Sequence, residues 1–269
     1  MTESLSIPAL TLRVRNLGQS GEFYVQKLGF VAARHTRDTL ELAAEPHGIP
    51  LLTLVQGADR PAPREAAGLF HAALLLPSRE GLASWLSFVA AQSIEFEGFS
   101  DHGVSEAIYL SDPDGIGLEI YADRPRRDWP THDGELAMTT RPLATRALLE
   151  HARPNRHPLT GGRWGHLHLR VTDLAKSEAY YCSTLGLDVT QRSFPGARFL
   201  AADGYHHHVG LNTWGRPTLP APPDVAGLVD AVFARAAAPT AENHTDPDGI
   251  ALRIVPLAHP PKATQPVNA

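Results

Sequence analysis

The spacing of apolar residues divides the chain into four similar pieces. In the first, residues 7–56, a strand-like run at 11–14 precedes a helix over about 17–28, with Ser20 and Gly29 near its ends. Alternating runs at 30–34, 39–43 and 51–55 follow, the period-2 pattern of half-buried strands. The second piece repeats the order. It has a strand at 70–76 and an amphipathic helix at 78–92 with Ser78 placed as its N-cap. Short strands follow at 95–98, 106–110 and 117–121, and Asp112-Pro113-Asp114-Gly115 forms a strong turn signal between the last two. The third piece spans 165–214 and the fourth 227–255. The fourth is trimmed: Gly227 to Arg253 is 26 positions, against 51 from Gly68 to Glu119.

Two internal repeats support this division. Residues 12–29, LRVRNLGQSGEFYVQKLG, match residues 169–186, LRVTDLAKSEAYYCSTLG, without gaps. Residues 112–121, DPDGIGLEIY, match residues 246–255, DPDGIALRIV. The order is the same in both halves, as a duplicated unit requires. The expected organisation is an N-terminal half at 1–125, a polar, Pro-rich linker at 126–164 and a C-terminal half at 165–258, with a loose tail at 259–269. One helical patch is expected in the linker near 143–151. A second connector, 215–223, carries four prolines in nine residues and reads as a semi-rigid spacer.

Composition narrows the class. The 269 residues are 43% apolar, enough for a sizeable core, and the net charge of −5 offers no general attraction to nucleic acid or an anionic membrane. No apolar run reaches the length of a membrane helix, and the first residues lack the basic and apolar regions of a signal peptide. A single cysteine, Cys182, rules out a disulfide framework. A cytoplasmic protein with a small-molecule partner is expected, and a homodimer is compatible with the sequence. Fourteen histidines make the chemistry of their positions the central question.

The runs GLFHAALLLPSR (68–79), DHGVSEAIYLSDPDGIGLEIYADRP (101–125), GHLHLRV (165–171) and GYHHHVGLNTW (204–214) resemble the vicinal oxygen chelate superfamily. That superfamily comprises glyoxalase, bleomycin-resistance and extradiol dioxygenase proteins, and the runs resemble its catechol 2,3-dioxygenase branch. The resemblance covers residues 7–255. It implies an α+β fold of four tandem βαβββ modules that form paired, incomplete barrels around a divalent metal.

The same resemblance implies metal ligands on the first and last strands of the modules lining one barrel. Here those positions hold His71, Glu119 and His166, with His168 as the rival to His166. Two histidines and one carboxylate are the ligand set of non-haem Fe(II) oxygenases, although Mn(II), Zn(II) and Ni(II) accept the same donors. The first module has Ala9 and Thr11 at these positions, and the fourth has Asp230 and Arg253. Modules two and three are therefore expected to pair around the metal, and modules one and four to form a silent counterpart.

For catalysis the resemblance implies three further groups. His208, in His206-His207-His208, falls at the position of the base; His206 shares its face in a regular strand, and a one-residue change of register would substitute His207. His102 matches a histidine that bonds substrate or oxygen intermediates, and Tyr109 a tyrosine whose hydroxyl contacts the substrate oxygen. The implied activity is extradiol cleavage of a catechol-like ring by Fe(II) and dioxygen. The alternatives are a glyoxalase-like metal-dependent lyase or isomerase, and a non-catalytic small-molecule-binding protein of the same superfamily.

Overall fold

A computed structural model describes residues 4–154, 157–236 and 238–257; the expected loose tail lies outside the described residues. The first module contains β1 (Leu5–Val14), α1 (Leu17–Glu22, continued by a π-helical turn, Phe23–Lys27), β2 (Val31–His35), β3 (Thr39–Ala43) and β4 (Leu52–Gln56). The second contains β5 (Gly68–Leu75), α2 (Arg79–Val89), β6 (Phe96–Asp101), β7 (Ser105–Ser111) and β8 (Gly117–Asp123). The connector adds three two-residue strands, β9 (Thr131–His132), β10 (Glu135–Leu136) and β11 (Arg141–Pro142), and the short helix α3 (Thr145–Leu149). The third module contains β12 (Arg163–Arg170), α4 (Leu174–Leu185), β13 (Asp188–Gln191), β14 (Ala197–Ala201) and β15 (Val209–Asn212). The fourth keeps β16 (Gly227–Arg235), β17 (Glu242–Thr245) and β18 (Ala251–Pro256), without a helix among its described residues.

Local chemistry explains most of these limits. The Ser78 hydroxyl accepts from the Gly81 amide at 3.1 Å and starts α2. The Asp173 carboxylate accepts from the amides of Ala175 and Lys176 and starts α4, which ends at Gly186 in the left-handed conformation. In the turn before β8, one Asp112 oxygen accepts from the amides of Asp114 and Ile116 at 2.8 and 2.9 Å. Asp246 makes the same pair of bonds before β18.

The two sequence repeats turn out to be halves of one physical unit. Tyr24 of the first repeat donates its hydroxyl to Asp112 of the turn at 3.2 Å, and Tyr181 donates to Asp246 at 3.1 Å. The helix of an odd module is thus latched to the turn of the following even module. Both tyrosines are fully buried, so each hydroxyl needs such a partner.

Strand pairing then crosses the halves. β5 of module two pairs antiparallel with β12 of module three, and β1 of module one pairs antiparallel with β16 of module four. The ladder that joins the two assemblies is one β1–β12 position long, Ile7 opposite Trp164. Trp164 is buried and donates its indole N–H to the Leu51 carbonyl at 2.7 Å, so the aromatic body and its polar tip are both satisfied at that junction. In the β1–β16 assembly, Thr11 stands opposite Asp230 and Ala9 opposite Val232, with Arg253 beside Val232 and exposed.

Candidate metal centre

Register in the β5–β12 ladder decides which side chains enter the barrel. Trp164 stands opposite Leu74, but His166 stands opposite Ala73, so Gly165 is an extra residue in β12. Residues two apart on a regular strand share a face. The bulge breaks that rule, sending Trp164 into the helix-covered core and His166 into the barrel. Glycine is required there, because a Cβ at 165 would collide with the Tyr121 hydroxyl. Beyond the bulge His168 stands directly opposite His71, on the same face as His166. A second irregularity at Phe70 lets Phe70 and His71, though adjacent, both line the cavity.

β8 completes the cluster. Glu119 is level with Ala73 on β5 and Tyr109 on β7. One oxygen, Oε2, lies 3.0 Å from His71 Nε2 and 3.2 Å from His166 Nε2. Their candidate ligand atoms all fall within 4.8 Å of one another, and all three residues are buried.

The electrostatics suit a cation. Burial pushes the His166 imidazole down to about 4, so it is neutral at pH 7 and offers a lone pair. Burial also works to raise the Glu119 carboxyl, but the His166 and His71 side chains outweigh it and hold the group well below the usual range. His71 Nε2 is close to Oε2 yet out of hydrogen-bonding alignment, which leaves it a buried nitrogen without a hydrogen-bond partner. Two imidazole nitrogens facing one carboxylate oxygen fit a divalent ion in the two-histidine, one-carboxylate pattern.

Around this cluster lies a cavity of about 840 Å³. Phe70, Phe194, Phe199 and Trp214 supply much of its wall, and the polar groups converge at the cluster. His102 and Tyr109 come together there: His102 Nε2 lies 2.7 Å from the Tyr109 hydroxyl, and its Nδ1 lies 2.6 Å from the Thr139 carbonyl oxygen. That carbonyl can only accept, so Nδ1 carries the proton of a neutral ring and Nε2 accepts from tyrosine. Burial, then the Glu119 charge, raises the Tyr109 hydroxyl well above its usual value.

The three consecutive histidines precede β15 instead of lying on it, so strand alternation does not govern them. His207 packs its ring against His166 at a centroid distance of 3.9 Å and lines the cavity. His208 turns away, lying 5.0 Å from the Tyr205 ring with Nδ1 accepting from the Ala202 amide. His208 is absent from the cavity lining, so the structure does not bring it to the cluster with His102 and Tyr109. Burial lowers His207 well below the usual imidazole range and takes His208 down to about 3.

His168 also faces the cavity. It packs between Phe70, Phe199 and Trp214, and Gly210 beside it leaves room for the ring. Its Nε2 is buried without a partner. Sequence reasoning missed Met138 and Thr140, which the connector lays against the cavity, and Thr139, whose carbonyl holds His102. No local signal marks them, because a polar, Pro-rich connector has no periodicity to betray which residues it buries.

Comparison with known proteins follows the same lines. The family model for the Glyoxalase/Bleomycin resistance protein/Dioxygenase superfamily matches residues 6–120 and 163–233. A catechol-2,3-dioxygenase of Bacillus subtilis strain 168 is 39% identical over 233 residues, which cover 84% of this chain and 81% of that one. Among solved structures, a provisionally assigned dioxygenase from Bacillus subtilis superposes with a TM-score of 0.64 at 13% identity, covering 95% of this chain and 86% of that one. Glyoxalase I from Zea mays gives 0.57 at 14% identity, covering 94% and 93%. At such identities the two structures speak to the fold alone.

Proposed function

Because the chain belongs to the Glyoxalase/Bleomycin resistance protein/Dioxygenase superfamily, we propose that it is an extradiol dioxygenase. It opens a catechol-like ring beside its two hydroxyls, using dioxygen and Fe(II) held by His71, Glu119 and His166. The convergence of both histidines on one Glu119 oxygen, at 3.0 and 3.2 Å, carries this reading, together with the relative of that activity. When bound, the ferrous ion supplies coordination positions and electrons for joining dioxygen to the diol.

The chain's own residues bind, orient and move protons. A catechol seated at the cluster presents one hydroxyl toward the His102–Tyr109 pair. There the tyrosine oxygen, held at 2.7 Å by His102, contacts the substrate oxygen. His207, whose ring lines the cavity beside His166, takes up the proton that the diol must lose, a role a positioned imidazole commonly fills. The aromatic walls hold the ring face and keep water from the reacting atoms. His208, turned away from the cavity, has no part in this arrangement.

Anaerobic loading with Fe(II), then addition of catechols and air, tests the proposal. The expected result is dioxygen uptake matched by the yellow ring-opened semialdehyde, and neither from His166→Ala. Stoichiometric iron without dioxygen uptake across a panel of catechols would overturn it.

A further inference from the structure

A chain of hydrogen bonds links the cavity to the surface through residues that the proposed reaction does not itself use. Glu119, Tyr121 and Asp123 alternate along β8 and share a face. Asp123, at the strand end, lies with one carboxylate oxygen 2.9 Å from His206 Nε2. His206 Nδ1 lies 2.7 Å from His207 Nδ1, and His207 lines the cavity beside His166. The Asp123 side chain is 27% exposed, while that of His206 is completely buried. The same Asp123 oxygen accepts the Tyr205 hydroxyl at 3.2 Å, and Tyr205 in turn pairs with Tyr121 at 2.8 Å, so the carboxylate is held from two sides.

The direction of each bond follows from the chemistry at the outer end. An ionised carboxylate has no proton to donate, so His206 Nε2 must carry the hydrogen. A neutral imidazole holds only one, which leaves His206 Nδ1 as an acceptor. The proton in the 2.7 Å contact therefore belongs to His207 Nδ1. His207 Nε2 is left with its lone pair and no hydrogen. From this geometry we propose that Asp123 and His206 are positioning residues that lock His207 into the tautomer protonated on Nδ1. In that form Nε2 accepts the substrate's proton: the phenolic O–H bond breaks, its electron pair stays on oxygen, and a new N–H bond forms. This inference rests on His207 facing the substrate, as in the proposed function.

The chain also explains a second grouping of potential metal ligands. His166, His206 and His207 place ligand atoms within 4.8 Å of one another. Both nitrogens of His206 are engaged, one by Asp123 and one by His207, and in this reading they serve the relay.

The tautomer can be read without turnover. Long-range nitrogen–proton correlation spectra of the full chain, with histidines labelled by nitrogen-15 and loaded with diamagnetic Zn(II), distinguish protonated from bare ring nitrogens. His207→Gln assigns the signals. The expected spectrum has His207 protonated on Nδ1 in the wild type and in His206→Gln, whose amide can accept from His207 and donate to Asp123. In His206→Leu and Asp123→Ala the proton redistributes toward Nε2. With the Fe(II) protein, His206→Leu lowers kcat at least about tenfold with KM little changed, and His206→Gln recovers most of the loss. A wild-type His207 protonated on Nε2, or a tautomer indifferent to both substitutions, overturns the inference; the wild-type spectrum decides even if a variant fails to fold. The expected tautomer without ring cleavage would instead overturn the proposed function alone.

Discussion

His207 packs its ring against His166 with centroids 3.9 Å apart, whereas the neighbouring His208 packs against Tyr205. A one-residue difference thus separates a ring at the cluster from one buried behind it. His207→Ala is expected to lower kcat by about 10²–10⁴ with iron still bound, the range of a general base. His208→Ala is expected to leave kcat within a few-fold and to lose stability instead, since its ring is buried. Steady-state kinetics beside iron content and thermal melts separates the two effects.

Metal binding should be visible in stability. His71, Glu119 and His166 come together only in the folded barrel, so an ion bound there favours the native state. At a free concentration 100 times Kd the gain is about 2.7 kcal/mol, or roughly 5–10 °C in Tm for a chain of this size. Calorimetry should show this shift in the wild type and none in His166→Ala or Glu119→Gln.

Tyr109→Phe removes the hydroxyl that bonds His102 and leaves the ring packed. The expected cost is about 10- to 100-fold in kcat/KM, with a stability change of roughly 1 kcal/mol. Ring-cleavage kinetics and denaturant melts on the same preparation check both figures.

Asp112 should impose a pH dependence on stability away from the metal. Burial raises its carboxyl to about 6, although the amides of Ile116 and Asp114 oppose the shift. Between about pH 4 and 6 the native state therefore holds a proton that the unfolded chain has lost, and stability falls as pH rises. The whole effect is at most about 3 kcal/mol and is complete above about pH 6. Asp112→Asn retains an oxygen for the Asp114 and Ile116 amides and should flatten this part of the profile. Urea melts of wild type and variant between pH 4 and 7.5 measure the difference.

The cavity volume bears on substrate size. About 840 Å³, walled by Phe70, Phe194, Phe199 and Trp214, is far more than an unsubstituted catechol fills. Catechols carrying an apolar substituent should show lower KM than catechol itself, by about tenfold for each 1.4 kcal/mol of added burial. Trp214→Ala should erase much of that preference while leaving the KM for catechol nearly unchanged.

Much of the architecture was legible in local chemistry. The period of the apolar residues, the Ser78 cap and the paired DPDG turns act over a few residues, so they show in the sequence. They led to βαβββ modules, a trimmed fourth module, and a ligand trio of His71, Glu119 and His166, read with the help of family resemblance. Other features depend on partners far along the chain. The crossing of β5 with β12 and of β1 with β16 agrees with the pairing of modules expected from where the implied ligands fall, but periodicity alone does not encode that choice among sheet edges. The selection of His207 over His208 follows from three histidines leaving regular strand geometry just before β15. The contribution of Thr139, and the relay from Asp123, arise only where the connector and the end of β8 fold against the third module. Short-range torsional and capping preferences are written residue by residue. Which buried nitrogen meets which carboxylate is set by packing across the whole barrel.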